Sequence, residues 1–180
     1  HLVVYTHLHN DHVGASHLFK RARHIFQRDE WMELVNPLPF IKFRGDFDPA
    51  AIPIFEGLDC YRIEGDLSLL PGLTIYKNPG HTAGGQILAI ETEGGTYVIS
   101  GDTLISNHNA FPGLREITGI DGETIPITPV PEGYGPAIPS IVTSDCYDWY
   151  DSVAQIKSLL KGPEFLIAGH EPSLVGKSFP

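Results

Sequence analysis

A dense cluster of metal-binding side chains lies near the start of the sequence, in the six-residue stretch H-L-H-N-D-H that begins at His7. It follows an apolar run, residues 2–5, which predicts a buried strand that ends in a loop. His7 and His9 are two positions apart, so in extended backbone their rings face the same side and can hold one ion together. Asp11 and His12 follow after the chain turns and are available to a second, neighbouring ion. The spacing therefore predicts half of a two-metal site.

Three further candidate ligands follow other predicted strands. His81 lies in Asn78-Pro79-Gly80-His81-Thr82, Asp102 in Gly101-Asp102-Thr103, and His170 directly after the buried run at residues 165–168. A glycine precedes each of them, which lets the backbone approach a crowded centre closely. The other histidines have no such setting and are expected on the surface or in the core: His1, His17, His24 and His108.

The elements that must position these residues are short. A strand is predicted at His24–Phe26, a helix at Arg28–Val35, and a second helix from Ser144 or Asp145 to about Leu160. Glycine- and proline-rich turns divide residues 58–101 into short runs that predict a β-meander.

Two proline-rich segments connect these elements. Residues 36–57 predict an irregular excursion without regular secondary structure, which either covers a pocket or packs against the rest of the domain. A Pro/Gly-rich loop at about 104–140 predicts an ordered covering of one face, without long helices or inner strands.

Composition limits the class of protein. The 180 residues are 42% hydrophobic and 19% charged, which predicts a single domain over residues 1–180 with a substantial core. A net charge of −10 disfavours nucleic acid and anionic membranes as partners. No apolar run approaches the roughly 20 residues of a membrane span, so we expect a soluble protein. Cys60 and Cys146 lie in unrelated contexts and form no C-x-x-C motif, which favours a cytoplasmic location. Because the cluster follows the start of the chain so closely, we expect an N-terminally incomplete domain.

The four motifs together, in this order, resemble those of the metallo-β-lactamase superfamily. The resemblance implies a layered α/β fold, the αββα sandwich, lacking its N-terminal strands. It also implies a dinuclear centre at the edge of that sandwich. Carried over to this sequence, the first ion would be held by His7, His9 and His81, and the second by Asp11, His12 and His170, with Asp102 bridging.

Within that superfamily the sequence is most like the N-acyl homoserine lactonase group, in Gly80–Gln86 and Gly169–Pro172. Aspartate rather than cysteine at position 102 argues against the antibiotic-hydrolysing branch. Some lactonases carry a tyrosine three residues after the bridging aspartate, where this chain has Ile105. Tyr134 is the candidate to contact substrate in its place, with Tyr147 and Tyr150 as alternatives.

The resemblance implies a hydrolase that opens a lactone or cleaves a carboxylic ester through a metal-bridging hydroxide, with Asp11 relaying a proton to the leaving alkoxide. Two divalent ions are expected, Zn²⁺ first, with Fe, Mn or Co as alternatives. The expected partner is a small ester or lactone, and a homodimer is left open. The rival interpretations are a thioester hydrolase of the hydroxyacylglutathione hydrolase type, a phosphodiesterase, and an inactive metal-binding fragment.

Overall fold

A computed structural model describes residues 1–140 and 142–179 and places the N-terminal third of the chain in a three-stranded parallel sheet. Its strands are β1 (Leu2–Val4), β2 (Arg23–Gln27) and β3 (Asp59–Ile63), in that order. Parallel neighbours require crossover connections, and here these are helical. The first contains α1 (Asn10–Val13) and a 3₁₀ turn, and the second contains α2 (Arg28–Val35), α3 (Pro39–Arg44) and α4 (Ala51–Glu56).

The next part of the chain builds a second sheet. Four strands form an antiparallel meander: β4 (Leu67–Leu70), β5 (Leu73–Lys77), β6 (Gln86–Glu91) and β7 (Thr96–Gly101). A covering segment follows, with α5 (Asn107–Ala110) and a small hairpin of β8 (Glu116–Thr118) and β9 (Thr124–Pro126). After α6 (Cys146–Leu159), strand β10 (Leu166–Ala168) joins the second sheet parallel to β7.

Three apolar clusters hold these layers together. Trp149, Val153 and Ile156 of α6 pack on the second sheet, while Leu34 of α2 and Phe55 of α4 pack on the first. The third cluster consists of Ile25, Ile63 and Ile75, which come from both sheets and are all buried. The sheets therefore face each other with helices outside, which confirms the layered αββα arrangement. In the described part of the chain, no helix is both long and apolar enough to cross a membrane.

The predicted meander is wrong at its first strand. The run at Cys60–Ile63 belongs to β3, which pairs in parallel with β2 in the other sheet, and the meander begins instead at the unpredicted strand β4. The turn at Gly65 explains the difference, because Gln27 of β2 binds both the N–H and the C=O of Gly65, at 3.0 and 2.8 Å. The glycine-containing turn therefore transfers the chain between sheets instead of closing a hairpin.

The prediction of an irregular excursion at residues 36–57 is also wrong, because α3 and α4 lie there. Pro39 occupies the first position of α3, where its fixed φ suits a helix and its missing N–H breaks no hydrogen bond. Gly45 ends that helix with a φ of 76°, a left-handed conformation that favours glycine. Pro39 thus marks the start of a helix.

Candidate metal centre

All seven predicted ligands come together at the ends of strands, in two adjacent groups. The first group is His7, His9 and His81, and the second is Asp11, His12, Asp102 and His170. Within each group the candidate donor atoms lie no more than 4.8 Å apart. Residues separated by more than 160 positions in the sequence thus form one cluster, which could hold metal ions.

The histidine-rich loop behaves as its spacing predicts. The ring centroids of His7 and His9 are 4.5 Å apart, and both side chains are buried. The chain then turns into α1, which carries Asp11 and His12 in its single turn. His9 occupies the N-cap position of that helix. This turn directs Asp11 and His12 to the second group.

Asp102 lies between the two groups. Its Oδ2 atom is 3.1 Å from His170 Nε2 and 3.9 Å from His81 Nε2, and its Oδ1 atom is 3.4 Å from His12 Nε2. His81 Nε2 is in turn 3.2 Å from His9 Nδ1. A single carboxylate is thus close to donors of both groups, as a ligand shared by two ions would be.

Glycines bring the ligand loops together as predicted. Gly80 has a φ of 121°, and a Cβ there would lie 2.5 Å from Cα of Trp149, so the loop before His81 packs directly on the start of α6. Gly101 has a φ of 50°, and a Cβ there would lie 2.5 Å from Oγ1 of Thr6. The residue before Asp102 therefore packs against the residue before His7.

Burial keeps the first group uncharged. It lowers the pKa of His9 and of His81 to about 4. Burial also lowers the pKa of His7 well below its ordinary value, and the neighbouring histidines lower it further. Near neutral pH these three rings are neutral imidazoles, the form that binds metal.

The second group is more polar. Burial alone would lower the pKa of His12, but the contact with Asp102 and the charges of Asp102 and Asp11 raise it above its ordinary value. Burial alone would raise the pKa of Asp102, but His12, His81 and His170 lower it. Asp102 is therefore held as a carboxylate, ready to act as an acceptor or a ligand.

The donor set fits divalent ions. Within the described residues, several buried side-chain atoms of the site have no hydrogen-bond partner: His7 Nε2, His9 Nε2, His12 Nε2, His81 Nδ1 and Asp102 Oδ1. Buried polar atoms in folded proteins normally have a partner. Imidazole nitrogens and carboxylate oxygens together suit Zn²⁺, Fe, Mn and Co. Bound ions would give partners to several of these atoms.

Sequence reasoning missed two side chains that support this cluster. Phe47 lies against His9, with ring centroids 4.8 Å apart, and is buried. The carboxylate of Glu30 is fully buried and contacts the loops on both sides of the first group. Burial raises the pKa of Glu30 to about 7, although hydrogen bonds from Thr82, Leu8 and Gly84 act to lower it. In the sequence, Glu30 resembles an ordinary acidic residue in the first turn of a helix.

Of the three candidate tyrosines, Tyr134 lies after the β8–β9 hairpin, and Tyr147 and Tyr150 lie in α6. Tyr134 ends a 3₁₀ turn and is 70% exposed, and Tyr147 is 88% exposed. The hydroxyl of Tyr150 donates to the carbonyl of Ala137 at 3.2 Å. Substrate contact by Tyr134 stays a prediction.

The sequence of this chain is related to those of several N-acyl homoserine lactonases. An N-acyl homoserine lactonase from Bacillus sp. is 31% identical over 122 residues, which is 67% of this chain and 45% of that protein. The N-acyl homoserine lactonase AiiA of Bacillus thuringiensis subsp. kurstaki matches with the same identity and coverage. The chain thus spans less than half the length of these relatives.

Solved structures share the fold. An N-acyl homoserine lactone hydrolase with its product N-hexanoyl-L-homoserine bound at the catalytic metal centre superposes with a TM-score of 0.62 at 23% identity, covering 93% of this chain and 53% of that one. The dizinc quorum-quenching lactonase AidC gives a TM-score of 0.59 at 15% identity, covering 87% and 52%. The family model for the metallo-β-lactamase superfamily matches residues 1–170, which include all seven clustered residues. The chain therefore belongs to the metallo-β-lactamase superfamily.

Proposed function

We propose that this chain forms the metal-binding part of a dinuclear hydrolase that opens a lactone or cleaves a carboxylic ester. The observation that carries the proposal is the pair of adjacent donor groups with Asp102 between them. The relatives that supply the substrate class are N-acyl homoserine lactonases. A cytoplasmic location and a homodimer stay predictions from the sequence.

In this proposal the three buried histidines would hold the first ion, and Asp11, His12 and His170 would hold the second, with Asp102 available to both. Two bound divalent ions would supply an acidified water as nucleophile and an electrophile for the substrate carbonyl. The neutral state of His7, His9 and His81 leaves their lone pairs available at neutral pH. Zn²⁺ is the first candidate because the donors are mainly imidazoles.

Asp11 is the proposed proton carrier. Its Oδ2 atom lies 3.4 Å from His12 Nε2 and 3.5 Å from His170 Nε2, and half of its side chain is exposed. A substrate on the open side of the cluster can therefore reach this carboxylate. Asp11 would accept the proton of the attacking water and deliver it to the alkoxide oxygen released when the acyl C–O bond breaks. The product of a lactone is then the ring-opened hydroxy acid.

The test is a metal analysis followed by turnover assays on a lactone, a thioester and a phosphodiester. We expect two ions per chain and preferential turnover of the lactone. His7→Ala should lose metal and activity, whereas His17→Ala, which changes an exposed histidine outside the cluster, should keep both.

The other outcomes separate the rival functions. Preferential thioester cleavage would favour the hydroxyacylglutathione hydrolase type, and turnover of phosphodiesters alone would remove the esterase assignment. Metal content at background level, unchanged by His7→Ala, would overturn the enzyme proposal itself.

A further inference from the structure

A single buried carboxylate connects the two loops that carry the three-histidine group. Glu30 Oε2 accepts a hydrogen bond from the backbone N–H of Leu8 at 2.8 Å. Its other oxygen, Oε1, accepts from the N–H of Gly84 at 3.1 Å and from the hydroxyl of Thr82. Leu8 lies between His7 and His9, and Thr82 directly follows His81. One side chain thus contacts both sources of the first ligand group.

The surroundings of Glu30 leave this carboxylate little freedom. The residue has no exposed surface and lies in the first turn of α2. A Cβ on Gly84 would overlap the backbone of Glu30 and lie 2.9 Å from the carbonyl carbon of Asp29, so the loop packs directly against the start of the helix. Asp29 also pairs with Lys77 at the end of β5, at 2.5 Å. The helix start is therefore fixed relative to the strand that leads into the His81 loop.

From these contacts we propose that Glu30 is a positioning residue, which sets the distance of His7 and His9 from His81. This inference rests on the proposed metal centre, but Glu30 itself is not proposed to bind an ion. Burying a carboxylate costs free energy unless hydrogen bonds compensate for it, and here three donors from two separate loops do so. Such outer contacts typically change metal affinity by about 10- to 100-fold when they are removed.

The inference makes a site-selective prediction. Glu30→Gln keeps the shape of the side chain but replaces one acceptor oxygen with an NH₂ donor. Whichever way the amide turns, one of the two loops loses its acceptor. The affinity of the three-histidine group should therefore fall about 10- to 100-fold. The second group should change by less than about threefold, because Glu30 makes no hydrogen bond to the loops of Asp102 and His170 in the described residues.

The experiment titrates the metal-free protein with Zn²⁺ in competition with a chromophoric chelator, which resolves the two binding steps. Thr82→Val removes one hydroxyl donor and should weaken the same step. Glu33→Gln is the matched control: this glutamate lies one turn further along α2 and, among the described residues, accepts a hydrogen bond from one loop alone, from Ala83 N–H at 3.2 Å. Thermal unfolding of the metal-free variants is measured in parallel.

The outcomes are distinct. Selective loss of one step in Glu30→Gln and Thr82→Val, but not in Glu33→Gln, supports the inference. A lowered melting temperature with both affinities unchanged would show a merely structural role and overturn it, as would equal weakening of both steps. If Glu30→Gln fails to fold, unchanged binding by Thr82→Val overturns it. A parent protein that binds no Zn²⁺ would overturn the proposed function as well, whereas two ions bound equally by parent and variants would remove only this inference.

Discussion

Replacement of Gly101 by alanine tests whether the contact between the strand ends controls the site. Gly101 precedes Asp102 and has a φ of 50°. Alanine in that left-handed conformation costs about 1–2 kcal/mol. The new Cβ would also lie 2.5 Å from Oγ1 and 2.6 Å from Cβ of Thr6, closer than the 3.0 Å below which real Cβ contacts essentially never occur. The two strand ends must therefore separate by about 0.5 Å.

Separation of the strand ends would displace two candidate ligands, His7 and Asp102. Thr6 Oγ1 lies 3.1 Å from His7 Nδ1, so displacing Thr6 also displaces the support of His7 while Asp102 moves the other way. Overpacking of this kind costs about 1–3 kcal/mol in addition to the backbone strain. A misplacement approaching 1 Å can reduce turnover by about 100-fold. We expect Gly101→Ala to lose about 2–5 kcal/mol of stability and roughly 100-fold in kcat/KM.

Gly122→Ala is the matched control for backbone strain. Gly122 has a φ of 83° in the turn between β8 and β9, and a Cβ there would meet nothing within 4 Å. The Gly122→Ala variant should lose about 1–2 kcal/mol of unfolding free energy, measured in urea, and keep the metal content and kcat/KM of the parent. If Gly101→Ala behaves as this control does, with unchanged metal affinity and turnover, the close approach of the strand ends does not control the site and the reasoning is refuted.

Three further predictions address charge and substrate. In the metal-free protein, His9 and His81 have folded-state pKa values of about 4 against an ordinary 6.5, so the unfolded chain binds more protons between these values. These two histidines should therefore destabilise the fold by roughly 3 kcal/mol each as the pH drops from about 7 towards 4, whereas Glu30, whose pKa of about 7 lies above its ordinary 4.5, acts in the opposite direction over this range. Urea unfolding of the parent and of His9→Ala at pH 7 and pH 4 checks the sign: the variant should lose less stability on acidification than the parent, and an equal or larger loss would contradict it. Asp11→Asn, assayed at a Zn²⁺ concentration at which metal analysis finds both ions bound, should lower kcat by about 100-fold or more with KM little changed, since a proton carrier acts in the transition state; an effect on KM alone, or a kcat loss that follows the loss of an ion, would reject that role. Tyr134→Phe should raise KM for a lactone about 2- to 10-fold if its hydroxyl binds substrate, and an unchanged KM would leave this exposed tyrosine without that function.

The clustering of the candidate ligands could be predicted from the sequence because these residues have local signals. His7 and His9 share the side-chain direction of an extended chain, and His81, Asp102 and His170 each follow a glycine at the end of an apolar run. These rules need only the nearest neighbours along the chain. The structure accordingly brings all of them into the two donor groups.

The sheet order and the support of the site could not be predicted in the same way. Whether the turn at Gly65 closes a hairpin or crosses between sheets depends on Gln27, which is 38 residues away. The helices within residues 36–57 could not be predicted because the segment contains several prolines. Proline breaks a helix in its interior but suits its first turn. In both cases the local pattern permits two structures, and tertiary contacts select one.

Ligand identity and ligand placement are therefore set by different parts of the sequence. The three-histidine group takes its residues from two loops, and residues outside both donor groups contact those loops: Glu30 accepts hydrogen bonds from each loop, and Gly101 packs against Thr6. Such residues are hard to recognise in the sequence. A glycine indicates that another part of the chain packs closely against the backbone there, but it does not identify that part. Changes at Glu30 or Gly101 should thus weaken metal binding or turnover although all seven candidate ligands are retained. Four intact motifs are for that reason enough to place a chain in its superfamily, but they are not enough to predict that it is active.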